Sequence, residues 1–185
     1  MSHFVDKTIT GLTNLLDPNG HIKLFCREGE ISEFAVTLSD KGVTEADIQV
    51  FENSNGIQLP TDYREFLKAC NGARIFETLF NGQRVGGGLH LFSLSELQEN
   101  LSYLDLFEGV NGIAIAHLLE ECHLVIDHER LKQNDPNYLF IFEDGLDYRP
   151  LHLNFEIFLD RYIMSQGETF WEWGHWTAAN YYKTR

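Results

Sequence analysis

The chain has 185 residues, room for one domain and tight for two, and its 43% hydrophobic and 23% charged residues are those of a folded globular protein with a real core. Twenty-eight acids against fourteen bases give a net charge of −14, which excludes binding to nucleic acid or to an anionic membrane surface, because counterion release needs cations on the protein. No apolar run reaches the ~20 residues of a membrane span, the polar breaks at Asp6 and Lys7 leave no clean signal-peptide core, and the odd, widely spaced Cys26, Cys70 and Cys122, with no CxxC, argue against a disulfide framework or structural zinc and for a reducing cytoplasm.

Phe4, Ile9, Leu12, Leu15 and Leu16 predict a first helix that ends near Pro18-Asn19-Gly20. His21 to Cys26 and Phe34 to Leu38 each predict a short strand. Thr44, with Asp47 three residues on, predicts a capped helix with Val43, Val50 and Phe51 toward the core, stopped at Asn55-Gly56. Ile57 to Pro60 is an extended link, since a residue before proline is pushed out of helical geometry. Tyr63, Phe66, Leu67 and Cys70 then fall at i, i+3, i+4 and i+7, one apolar helix stripe. That helix is expected to stop at Asn71-Gly72, read as its left-handed C-cap.

Arg74 to Phe80 predicts a strand closed by an Asn81-Gly82 hairpin turn. Gly86-Gly87-Gly88 loops into a strand at Leu89 to Phe92. Ser95 is the expected cap of the next helix, with Leu94, Leu97, Leu101 and Leu104 inward. Ile113 to Ala116, Leu124 to Ile126 and Tyr138 to Phe142 predict strands, the last closed by Glu143-Asp144-Gly145. Asn154 caps a final helix carrying Phe155, Phe158, Leu159 and Tyr162. Helices flanking hairpin-linked strands predict a single α+β domain with a mainly antiparallel sheet rather than βαβ units.

The ordered set resembles the SMI/KNR family, also called the SUKH superfamily. The likeness runs from a helix bearing Glu52 through Gly56-Ile57, Leu59-Pro60, Tyr63, Phe66-Leu67 and Asn71-Gly72. It continues at Leu91-Phe92-Ser93-Leu94 with Leu97, at Leu124-Val125-Ile126-Asp127 and at Asn154 to Leu159, with Phe155, Phe158 and Leu159 in the closing helix. The signature residues Glu52, Leu59, Pro60, Tyr63, Phe66, Leu67, Asn71 and Gly72 are read as structural. The likeness divides the chain into an N-terminal extension packed on the domain at 1–42, an SMI/KNR-like domain at 43–166 and an aromatic C-terminal helix or tail at 167–185. The chain departs from the family at His117 to Cys122, where relatives often carry a glycine- and aspartate-rich turn. Members of this kind are bacterial immunity proteins that neutralise a toxin, often a nuclease, or fungal regulators of cell-wall synthesis. The resemblance therefore implies protein binding, no catalysis and no cofactor.

Charge points the same way. Between Leu89 and Glu129 there is no Lys or Arg, and the span holds Glu96, Glu99, Asp105, Glu108, Glu120, Glu121, Asp127 and Glu129. Any one of these acids reads as a solvated surface group; together they predict a patch facing a basic partner. The expected contacts are Glu96, Glu99, Asp105, Glu108, Glu120 and Glu121. The partner is a basic protein, a toxin domain by the family's example.

Three competing signals are weaker. His117, His123, Asp127 and His128 form a metal-like cluster, but the strand geometry of Leu124 to Ile126 sends His128 away from His123 and Asp127, so no metal is expected. Gly86-Gly87-Gly88 lacks the lysine and Ser/Thr of a phosphate loop. No Ser-His-Asp or Cys-His signature is present, and Cys70 on an apolar stripe is expected to be buried and inert. The tail from Phe170 to Tyr182, rich in Trp and Tyr, is expected to pack back on the domain, the other reading being partial burial with one edge left for a partner. The alternatives to an immunity protein are a regulatory scaffold and a metal-dependent hydrolase built on His117, His123 and Asp127.

Overall fold

A computed structural model describes residues 4–25, 29–39, 41–118, 122–143 and 147–173. Nine strands among these residues join one sheet. They are β1 (His21–Phe25), β2 (Ile31–Leu38), β3 (Ala73–Phe80), β4 (Gln83–Arg84), β5 (Leu89–Leu91), β6 (Gly112–His117), β7 (His123–Asp127), β8 (Leu139–Glu143) and β9 (Asp147–Pro150). The spatial order is β1-β2-β3-β5-β6-β7-β8-β9, with β4 paired to β3 off this path. Every neighbouring pair is antiparallel. The helices are α1 (Phe4–Thr13), α2 (Glu45–Asn55), α3 (Thr61–Ala69), α4 (Leu94–Asn100), α5 (His128–Lys132) and α6 (Phe155–Met164). The molecule is thus the α+β meander that the sequence predicts. β7 and β8 are buried at successive positions, so both faces of the sheet are covered there.

Short-range chemistry explains most element ends. Thr44 accepts from the Asp47 N–H while the Thr44 N–H donates to the Asp47 carboxylate at 2.8 Å, a full capping box. Gly56 closes α2 at φ 65. α2 turns Ile48 and Phe51 into the core, whereas Val50, expected inward, is 65% exposed. Two residues beyond Ile48, it stands about 200° around the helix from it. Asn81 and Gly82 both take positive φ, which suits the two-residue turn between β3 and β4.

Two caps differ from expectation. α4 is capped by Ser93, not Ser95: Ser93 and Glu96 satisfy each other's backbone N–H groups in a reciprocal box. α3 ends at Ala69 with Cys70 extended, so Asn71-Gly72 is not its C-cap. Asn71 instead accepts the Leu94 N–H at 2.8 Å in the first turn of α4. Gly72, at φ 99, lets the chain pass close to Ser93, where an added Cβ would stand 3.2 Å from the Ser93 nitrogen. The pair therefore splices α3 to α4. β4, α5 and β9 carry too little pattern to be read in advance; β9 is a polar edge strand ending in proline.

The signature aromatics form the centre of the core. Tyr63 stacks on Phe66 at 5.7 Å and meets Phe155 edge-on at 5.0 Å, and its hydroxyl donates to the Phe92 carbonyl at 3.0 Å. Phe158, Leu159 and Tyr162 continue the seam along α6. α1 packs against α3 and α6 through buried Val5 and Leu12. Phe170 and Trp171 pack on Phe158; Trp176, Tyr181 and Tyr182 lie outside the described residues.

Asp62 locks α3 to α6. It accepts the Tyr138 hydroxyl and the Glu156 N–H (3.1 Å), while the Tyr138 oxygen accepts the Phe155 N–H at 3.0 Å. Asp62→Ala is expected to cost about 1–3 kcal/mol, because it orphans these donors at the start of α6. Urea unfolding followed by circular dichroism checks this against Tyr138→Phe, which should cost a comparable amount, since Asp62 keeps the Glu156 N–H but the buried Phe155 N–H loses its acceptor.

Candidate functional site

The acid-rich span runs from α4 into a 3-10 turn at Leu104–Leu106. Leu97 (0% exposed) and Leu104 (1%) root it in the core. That anchorage presents Glu99, Asp105 and Glu108 to solvent, with Leu106 at 78% exposure between them. Glu96 is different. Its carboxylate accepts the Ser93 N–H at 2.7 Å and lies 2.8 Å from His90 Nε2. Burial acts to raise its pKa, but the Ser93 hydrogen bonds and His90 outweigh that and hold the carboxyl below its usual range. Glu96 therefore holds the start of α4. Glu120 and Glu121 lie outside the described residues.

Two further acids of the span are committed internally. Asp127 is buried; its Oδ1 accepts the Arg130 N–H at 2.8 Å and its Oδ2 the Tyr148 hydroxyl at 2.8 Å. Burial, then this bond, raise the Tyr148 pKa far above the ordinary phenol range. Glu129 pairs with Lys132 at 2.9 Å.

Among the described residues, His117, His123, Asp127 and His128 do not bring three ligand atoms together. His117 and His123 face each other across the β6–β7 ladder with rings 5.0 Å apart, and His123 also meets the Tyr103 ring. Asp127 is spent on α5 and Tyr148, and His128 opens α5. His128 Nε2 is buried with no hydrogen-bond partner among the described residues, and burial lowers the ring's pKa. The unfolded chain therefore binds this proton more readily than the folded one, so stability is lost as pH falls below about 6.5. Between pH 7 and 5, the melting temperature of His128→Gln is expected to fall less steeply than that of the wild type.

Glu52 gives the signature its physical meaning. Its side chain is only 11% exposed. It accepts the Leu59 N–H at 2.7 Å and the Arg64 guanidinium at 2.7–2.8 Å, so one carboxylate ties α2, the Leu59-Pro60 link and α3 together. Arg64 also pairs with the more exposed Glu45. The link and α3 then form one wall of a cleft of about 480 Å³. Asp62, Glu65, Asp135 and Glu156 line this cleft together with Pro60 and Tyr138, and no Lys, Arg or His is among the described lining residues. The sequence offered no sign of this second acidic surface, because its carboxylates come from three separate segments. Gly86-Gly87-Gly88 is a tight connector: an added Cβ on Gly88 would meet the Ile75 carbonyl oxygen at 2.3 Å. Cys70, extended just past the end of α3, is buried.

The antiparallel sheet, its flanking helices and the acidic outer surface define a single-domain α+β protein, and no helix among the described residues is long and apolar enough to cross a membrane. The chain belongs to the SMI1/KNR4 family (SUKH-1), whose model matches residues 42–161. It is 58% identical over 185 residues, the whole of both chains, to a Bacillus subtilis (strain 168) protein described as the uncharacterized protein YobM. It is also 28% identical over 128 residues to the uncharacterized protein YnaB of the same strain, covering 68% of this chain and 80% of the relative.

Proposed function

We propose that this protein is an immunity-type binding domain, which neutralises a cognate toxin in the cytoplasm by covering its basic face and changes no covalent bonds. The observation that carries the reading is the core-anchored segment that raises Glu99, Asp105 and Glu108 around exposed Leu106, in a stretch without Lys or Arg. A nuclease must bind phosphate, so its active face is basic. An acidic surface that is already folded meets such a face with fast steered association and little ordering cost. Leu106 supplies an apolar contact that water leaves on docking, and Glu120-Glu121 extend the same charge along the chain. Glu96 contributes by holding α4 in place. Family membership supports a binding role over chemistry.

The test is co-expression with a toxin domain encoded beside this gene. Restored growth and co-purification of a one-to-one complex are expected. Unrelieved toxicity with no complex would refute the proposal, and a stable complex with a cellular protein in its place would favour a regulatory scaffold.

A further inference from the structure

A separate feature lies outside the matched family segment. The α1–β1 connection, Asp17-Pro18-Asn19-Gly20-His21, closes on itself: the Asp17 N–H donates to the His21 carbonyl at 2.8 Å. Within it, Asp17 Oδ1 accepts the Asn19 N–H at 2.9 Å and the His21 N–H at 2.8 Å. Those bonds orient the carboxylate and use one of its oxygens. His21 begins β1, and the ladder pairs it with Ala35 and Lys23 with Glu33, so Glu33 is the diagonal neighbour of His21 on one face.

One ligand atom from each of Asp17, His21 and Glu33 lies within 4.8 Å of the other two. His21 Nδ1 and Glu33 Oε1 are 3.8 Å apart. That is too long for a hydrogen bond. It is close to the ~3–3.6 Å that separates two ligands each ~2.1 Å from a shared ion.

We propose that Asp17, His21 and Glu33 bind one divalent transition-metal ion of the zinc type through one imidazole nitrogen and two carboxylate oxygens. Imidazole in the set favours zinc and its neighbours over calcium and magnesium, which prefer oxygen ligands throughout. Three protein ligands leave at least one position for water. Two ligands preset by a five-residue turn need little ordering, and Glu33 reaches them from the next strand. The ion clips the exit of α1 to the first hairpin of the sheet.

The test is isothermal titration of chelator-treated full-length protein with zinc chloride. Parallel titrations use His21→Ala, Glu33→Gln and, at the separate histidine pair, His123→Ala. One saturable site per chain is expected in the wild type and in His123→Ala. In the other two variants the affinity should fall by at least about tenfold, the lower end of losses seen even for outer-shell changes. Unsaturable binding, binding that survives both His21→Ala and Glu33→Gln, or binding lost in His123→Ala overturns the proposal. Should His21→Ala unfold, Glu33→Gln decides alone, since its side chain is 42% exposed and removes only a charge. This site stands apart from the acidic span, so its failure leaves the toxin-binding proposal intact.

Discussion

Glu52→Ala is expected to destabilise the protein by about 2–4 kcal/mol, a fall of roughly 5–12 °C in melting temperature for a chain of this size. The carboxylate is nearly buried and has two jobs. It satisfies the N–H of Leu59, a residue 2% exposed, and it neutralises Arg64, whose side chain is 19% exposed. Removing it leaves a donor without a partner next to the proline link and leaves Arg64 with only the exposed partner Glu45. Two controls separate these effects. Glu52→Gln keeps an acceptor for Leu59 and should cost about half as much. Glu45→Ala removes an exposed ion pair and should cost under about 1 kcal/mol. Thermal and urea unfolding of the three variants checks the order. Equal losses for Glu52→Ala and Glu45→Ala would mean that the buried carboxylate does not hold the link.

Simultaneous Glu99→Lys, Asp105→Lys and Glu108→Lys should slow association with the basic partner by about 10- to 100-fold at low ionic strength. The three side chains are exposed, and none has a hydrogen bond or ion pair among the described residues. Stability should therefore change by no more than about 0.5 kcal/mol per site. The rate difference should narrow as salt shortens the screening length below ~8 Å. Leu106→Ala should act differently, speeding dissociation with little effect on association, because it removes apolar contact and no charge. Stopped-flow or surface-resonance kinetics with the purified toxin domain reads both effects. Glu96→Lys is unsuitable for this purpose: it breaks the Ser93 capping box and confounds binding with the loss of α4. An unchanged affinity in the triple variant would move the contact surface elsewhere, and the acidic cleft beside Pro60 is the next place to reverse charge.

The pattern of successes and misses has one physical origin. Asn81-Gly82, the Thr44–Asp47 box, the Asn154 cap and the Tyr63-Phe66-Leu67 stripe were legible because each signal acts within about four residues, where backbone geometry dictates who meets whom. The antiparallel order followed from hairpin-length connections. The net charge and the acid-rich span were likewise plain from residue identity. Their division into free and committed acids was not. Asp127 went to Tyr148, 21 residues away, and Asp62 to Glu156, 94 residues away. Glu96 met His90 because the chain turns at Ser93 from β5 into α4.

The sequence by itself determined most of the element types, the family and the sign of the surface. Only the tertiary structure decided which carboxylates face water, that Asp127 and His128 turn away from the facing pair His117 and His123, and that Asp17, His21 and Glu33 meet. Side-chain chemistry is a property of the residue, but convergence in space depends on ladder register and on which buried donor each acid must satisfy, and both are settled only when distant segments pack.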